Sequence, residues 1–254
     1  MRNMSKEIRP VAECSSAGGE AATRPVDLRE EGGSTPTPAL QSQATFGPKD
    51  LLVRPVPHAV ARDVCERGHY LHTYPGGTLL SFGVYVGSRL LGVAVLGVGP
   101  ANLARLFTGA QRREVVCLSR LWLDDRIGRN GESRTLAIIL RSLRQRQSLI
   151  RAVVAYSDPA AGHSGSIYRG AGLLYLGLSE AMPLYKLPDG SVHHSRSLSQ
   201  VFGTHSRRHF AAHGVSVELV PQQRKFIYAA LIDPSWRERL TRPVLAYPKQ
   251  EANP

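Results

Sequence analysis

Residues 117–178 read CLSRLWLDDRIGRNGESRTLAIILRSLRQRQSLIRAVVAYSDPAAGHSGSIYRGAGLLYLGL. Apolar β-rich segments alternate with polar loops and one amphipathic stretch, which predicts strand, loop, helix, strand, loop, short helix, strand. Val115 to Leu123 is β-rich and largely apolar, as a buried strand is. The loop Asp124–Arg129 ends at Asn130, a favourable N-cap residue, and Glu132 in the first turn complements the helix dipole. Leu136, Ile139, Leu140 and Leu143 recur at i, i+3, i+4 and i+7 and form one apolar face. Arg134, Arg141, Arg144 and Arg146 dominate the rest of that helix. Ala152 to Tyr156 is a second short strand that delivers Ser157 and Asp158 to its C-terminal end, where ligands of open α/β sheets collect.

A strand leading through a polar loop into a helix N-terminus turns free backbone N–H groups and the helix dipole toward one point. Arg126, Arg129 and Arg134 surround that point. A phosphate-bearing cofactor or a nucleic-acid phosphate would fit there. An ordinary strand–helix connection with solvated arginines is the other reading.

The 254 residues suffice for one domain of about 200 residues with a sizeable core. No apolar run approaches the roughly 18 residues of a membrane span, and the N-terminus has no apolar signal-peptide core, so a cytoplasmic protein with no membrane partner is expected. Cys14, Cys65 and Cys117 are odd in number and widely spaced, which fits neither a disulfide framework nor a zinc motif. The net charge of +12 is uneven: residues 1–50 sum to −1 and the other 204 to +13. Such a balance points to a polyanionic partner, with nucleic acid foremost. The basic residues are 27 Arg against 5 Lys, a skew that a GC-rich genome also produces.

Residues 1–48 are rich in Ala, Gly, Ser, Thr, Pro and Glu without hydrophobic period and read as a disordered low-complexity leader. The folded domain is expected over 49–254, opening with the strand LLVRPV at 51–56 and a short helix from His58 to Arg67 closed by Gly68. GHYLHTYPGG at 68–77 then packs His69, Tyr70, His72 and Tyr74 into a turn, a composition common at binding sites. Two β-rich runs flanking Gly87-Ser88 predict a hairpin. Residues 183–214, with His193, His194, His205, His209 and His213 among Ser and Arg, read as an inserted His/Arg-rich loop whose spacing matches no metal motif. RKFIYAALI is a last strand and WRERL a short helix.

The resulting order β-β-β-α-β-α-β resembles the GNAT acyltransferases: an α/β fold with a central mixed β-sheet flanked by helices. That resemblance implies an acyl-CoA or related donor at the N-terminus of the central helix, although RIGRNGES departs from the group's Arg/Gln-x-x-Gly-x-Gly/Ala signature there. The segments GHYLHTYPGG, LSRLWLDDRIGRNGESRTLAI, AYSDPAAGHSGSIYRGAGL and RKFIYAAL…PVLAYPK resemble more closely the Mom family of phage DNA-modification proteins, a divergent GNAT-like group. This resemblance implies modification of adenine in DNA at its exocyclic amine, giving N6-carbamoylmethyladenine and shielding the DNA from restriction. The family's important positions fall on His69, Tyr70, Asp158 and Tyr168. An iron ion (Fe2+) is also implied, for which His69, Tyr70 and Asp158 would be the ligands.

Adenine N6 is a poor nucleophile, so transfer requires close positioning and removal of its proton. Asp158 is the candidate base, or else caps the following turn. Tyr168 is a candidate proton donor or stacking surface, or else core. Arg129, Asn130, Ser133 and Arg134 are candidates for holding the donor, with Ser119 and Arg120 on the central strand as second candidates. Arg126, Arg141, Arg169, Arg207 and Arg208 are the expected DNA contacts. The partner set is then DNA, a small-molecule group donor and a second copy of the chain. Rival readings are an N-acetyltransferase using acetyl-CoA on a small amine or protein, and a nucleic-acid-binding protein without catalysis.

Overall fold

The computed structural model describes residues 46–146, 149–159, 162–181, 183–194, 198–199, 202–204, 206–221 and 224–248. The leader expected over 1–48 therefore lies, up to residue 45, outside the described residues, as do Cys14 and His205. Phe46 already belongs to the folded unit: its N–H donates to the Arg126 carbonyl at 2.8 Å and its carbonyl accepts from Gly128 N–H at 2.9 Å.

The elements, in chain order, are β1 Leu51–Pro55, α1 His58–Gly68, β2 Thr78–Val86, β3 Arg89–Gly97, β4 Val115–Leu123, α2 Gly131–Gln145, β5 Ala152–Ser157, α3 Ser166–Gly170 and β6 Leu174–Leu178. There follow β7 Pro183–Lys186, β8 Val192–His194, α4 Arg207–Ala212, β9 Glu218–Pro221 and β10 Phe226–Leu231. Seven strands form one sheet in the order β1-β2-β3-β4-β5-β10-β6. The β4–β5 pair is parallel and its other neighbouring pairs are antiparallel. This is the mixed sheet flanked by helices that the sequence implies.

Both faces of the central strands are covered, which is why those strands read as continuous apolar runs. On one face, Leu136, Ile139, Leu140 and Leu143 of α2 pack on Ala94, Leu96, Val116, Val153 and Tyr228. On the other, Ala61, Val64 and Cys65 of α1 pack on Val93 and Val95, while Leu103, Phe107 and Trp236 cover Val115, Cys117, Val154 and Ile227. The period of two along each strand sends neighbouring residues to opposite layers. Each buried Leu or Ile contributes about 1.5–3 kcal/mol relative to exposure.

Two irregularities shape the centre. The β4–β5 ladder holds only for Val115–Cys117 against Ala152–Val154. Beyond those rungs the two strands no longer pair, which leaves a break in the sheet between their C-terminal ends. In the β3–β4 ladder, Val95 faces Arg120 while Leu96 faces Leu118, so Ser119 is an extra residue, a β-bulge just past the last β4–β5 rung.

Residues 183–214, expected as a loop, instead contribute to a small sheet in the order β8-β7-β9, with Tyr185, Leu198 and Phe210 as its buried core. Strands of three or four residues carry too little alternation to be read from sequence. This module leaves the main sheet at Ser179 and returns at Lys225, where Ser179 N–H donates to the Lys225 carbonyl at 2.7 Å and Lys225 N–H to Ser179 Oγ at 3.0 Å.

Candidate active site

Two chain segments meet across the parting of β4 and β5. The first follows α1. His69 is the C-cap of α1 and its N–H bonds the Cys65 carbonyl at 3.1 Å. The chain then turns back on itself, with His72 N–H donating to the His69 carbonyl at 2.7 Å and His72 held at φ 47. Leu71 N–H donates to His69 Nδ1 at 3.1 Å. The His69 ring is buried, at 5% exposure, and stacks on the exposed Tyr70 ring with centroids 4.4 Å apart. Gly68 lets this turn lie on β4, since a Cβ there would come 2.7 Å from the Trp122 ring.

The turn is fastened from β4. Arg120 Nε donates to the Thr73 carbonyl at 3.1 Å and its Nη2 to Thr73 Oγ1 at 3.0 Å. Burial, then the Arg120 guanidinium, then His72 and His163 push the His69 pKa down to about 4. His69 is therefore neutral at physiological pH.

The second segment follows β5. Ser157 Oγ donates to the His163 carbonyl at 2.6 Å, and His163 N–H to the Asp158 carbonyl at 3.1 Å, closing a loop at the strand end. The loop carries His163 to within 5.8 Å of Tyr70, ring to ring. Asp158 Oδ2 pairs with Lys225 Nζ at 3.2 Å. Tyr168 of α3 donates its hydroxyl to the Tyr156 carbonyl at 3.4 Å and packs on Tyr228 at 5.1 Å. Burial first, then Cys117, Tyr70 and Tyr228, drives the Tyr168 pKa far above the usual phenol value, so its hydroxyl keeps its proton.

The N-terminus of α2 is the remaining wall. Asn130 is at the N-cap as expected, but at φ 71 its side chain makes no capping bond, because the left-handed backbone turns it away. Among the described residues the N–H groups of Glu132 and Ser133 have no acceptor, and Arg129 and Arg134 stand exposed beside them. This donor set fits a phosphate. Ser133 also faces α3, as its Oγ would lie 2.7 Å from a Cβ at Gly170. Ser119, in the bulge, donates to the Cys117 carbonyl at 3.4 Å.

Of the expected DNA contacts, Arg126 is folded back onto Asp124, with Nε–Oδ1 at 2.7 Å and Nη2–Oδ2 at 2.8 Å. Its short side-chain hydrogen bonds hold the Asp124 pKa low. Arg169 lies over the Tyr247 ring at 5.4 Å. Arg141, Arg207 and Arg208 are exposed and make no ion pair among the described residues. A separate cleft of about 650 Å³ at the end of β4 is lined by Phe46, Gly68, Arg89, Trp122, Asp124 and Arg126.

The iron ligands do not fit. Among the described residues no three His, Cys, Asp or Glu side chains gather to hold a metal. His69 has its Nδ1 lone pair in use and a guanidinium as its charged neighbour, and the Asp158 carboxylate is paired with an ammonium. Cys65 and Cys117 are free and buried. The family resemblance singled out His69, Tyr70, Asp158 and Tyr168, whereas His163 was noted only as a loop residue. Sequence reading missed Lys225 altogether, for which a lone basic residue before a strand is no signal.

Parallel strands that part beside a bulge, with polar side chains converging from both flanks and a helix N-terminus nearby, define a mixed α/β protein with a polar site at its strand ends. The chain belongs to the Mom protein family, whose profile matches residues 50–249. The methylcarbamoylase Mom of Escherichia phage Mu is 25% identical over 209 residues, covering 80% of this chain and 86% of that protein. Among solved structures, the Escherichia coli ribosomal-protein-S18-alanine N-acetyltransferase has a TM-score of 0.40 and 12% identity over 72% of this chain and 94% of its own. Arabidopsis thaliana NAA60 in complex with acetyl-CoA has a TM-score of 0.42 and 9% identity over 71% of this chain and 99% of its own.

Proposed function

We propose that this protein modifies adenine in DNA, transferring a carbonyl-bearing group of the carbamoylmethyl type to the exocyclic N6 amine. The observation that carries this reading is the family match over residues 50–249, which takes in every segment that builds the site. The phage Mu relative is named for a methylcarbamoyl group.

The residues divide the work as follows. Base pairing hides N6, so the adenine is extruded or single-stranded when it reacts. Tyr70, exposed and backed by the His69 ring, offers it a stacking surface at the site. The Asp158 carboxylate, held by Lys225, accepts the N6 proton as the new bond forms. Tyr168 donates its hydroxyl hydrogen to the Tyr156 carbonyl and so braces α3 on β5 beside Asp158. An acyl-CoA or related donor would rest its phosphates on the N–H groups of Glu132 and Ser133, between Arg129 and Arg134, and would supply the activated group, its leaving group departing with the electron pair of the broken bond. No step is routed through iron. The exposed arginines track the DNA backbone, and the enzyme works in the cytoplasm of the cell that holds that DNA.

The test is mass spectrometry of nucleosides from DNA of cells expressing the protein, beside an Asp158→Ala control of equal abundance and fold. A deoxyadenosine adduct that disappears in the control is expected, and its mass names the group. Unmodified DNA with folded wild-type protein in a donor-competent host would turn the reading toward acetylation of a small amine.

A further inference from the structure

The turn after α1 sets the protonation of His69, and with it the chemistry that side chain can do. A backbone amide has only a hydrogen to give, so the Leu71 N–H at 3.1 Å requires a lone pair on His69 Nδ1. The ring is then neutral with its proton on Nε2. The alternatives are closed: a proton on Nδ1, in the other tautomer or the cation, would face the Leu71 N–H. The tight turn that aims Leu71 is itself fixed by the His72–His69 hydrogen bond of 2.7 Å, by His72 Nδ1 against the Glu66 carbonyl at 3.0 Å, and by the Arg120 grip on Thr73. Around the ring stand Arg120 from β4, His72 from the same turn and His163 from the loop after β5, and burial with the fixed charge of Arg120 disfavours a second proton. Metal ligation is closed in the same way. A metal on Nδ1 would displace the Leu71 N–H, and a metal on Nε2 would push the proton to Nδ1.

We propose that His69 acts as a neutral hydrogen-bond donor through Nε2–H to the carbonyl oxygen of the transferred group, and neither as a metal ligand nor as the base. This rests on the adenine-modification reading above, and it leaves the proton of N6 to Asp158. In the transfer, N6 bonds to the carbon beside that carbonyl, the bond from this carbon to the donor's leaving group breaks with its electron pair, and the N6 proton passes to Asp158. Part of the charge at the reacting carbon spreads onto the carbonyl oxygen, where a hydrogen-bond donor set in advance stabilises it without reorganising.

Three measurements on the full chain decide it. Two-bond 1H–15N NMR reads the His69 tautomer directly, with no need for activity, and Nε2–H is expected across pH 6–8; an Nδ1–H ring or a cation overturns the proposal. His69→Gln places an N–H where Nε2–H stands, whereas His69→Asn places one at the Nδ1 position. Adduct formation is expected to stay within about tenfold of wild type for Gln and to fall about 10²–10³-fold for Asn and Ala, the effect of losing one such donor. A Gln variant that folds like wild type yet is as inactive as Ala overturns the proposal, as does adduct formation that stops on chelation and returns with added Fe2+. Wild-type protein that makes no adduct would instead overturn the adenine reading, and the NMR result would still stand for the ring.

Discussion

His69 is buried in an uncharged state, and that has a consequence for stability as well as for chemistry. Its folded pKa of about 4 lies below the ordinary 6.5, so between those values the unfolded chain binds more protons than the folded one. The contribution of His69 to stability is therefore complete above pH 6.5 and is lost as pH falls toward 4. Urea titrations of wild type and His69→Gln should diverge over that window, with the wild type losing more. Cys117 makes a parallel case: burial pushes its thiol up to about 11, against the smaller pull of Ser119 and Arg120. Native protein should resist alkylation at Cys117 at pH 8 and react fully only in denaturant, as mass mapping of the labelled peptide would show. These states depend on neighbours dozens of residues away, so the sequence could mark His69 as notable but not state its charge.

At the level of strands and helices, the site depends on two close approaches. Gly165 precedes α3 at φ 78, and a Cβ there would run into the Tyr228 ring. Gly165→Ala must strain the left-handed backbone and displace that ring, at a cost of about 1–3 kcal/mol. Because Gly165 joins the Asp158 loop to α3, adduct formation should fall further than thermal unfolding alone accounts for. α2 is held by its apolar face, and Leu140→Ala should cost about 2–5 kcal/mol in a chemical denaturation series. Its position was legible from four apolar residues at helical spacing. The bulge at Ser119 and the short β7, β8 and β9 strands were not, since each depends on pairing between distant segments.

Over the molecule as a whole, charge and the inserted module bear on the same partner. The module is rooted at Ser179 and Lys225, and Lys225 reaches Asp158, so its root stands at the C-terminal end of β5. Arg207 and Arg208 sit exposed in the first turn of α4, where the helix dipole disfavours cations, so helix stability does not account for them. Counterion release predicts that DNA affinity falls linearly with salt on a log–log plot, each phosphate contact adding about 0.9 to the slope. Arg207→Ala with Arg208→Ala should flatten that slope by about two and weaken binding to all sequences alike, as anisotropy titrations at several salt concentrations would register. An unchanged slope would remove α4 from the DNA path.

The order of the main-sheet strands and the apolar face of α2 followed from periodicity and turn residues, because those properties are local to the chain, whereas residues 69, 70, 158 and 168 were singled out together by the family resemblance of the motifs that carry them. Tertiary structure alone decided that β4 and β5 share only the rungs up to Cys117 and Val154 before parting. It alone brought His163 to Tyr70 and Lys225 to Asp158, and turned the Leu71 amide onto His69. Hydrogen bonding and burial are properties of neighbours in space, and spacing along a chain does not contain them.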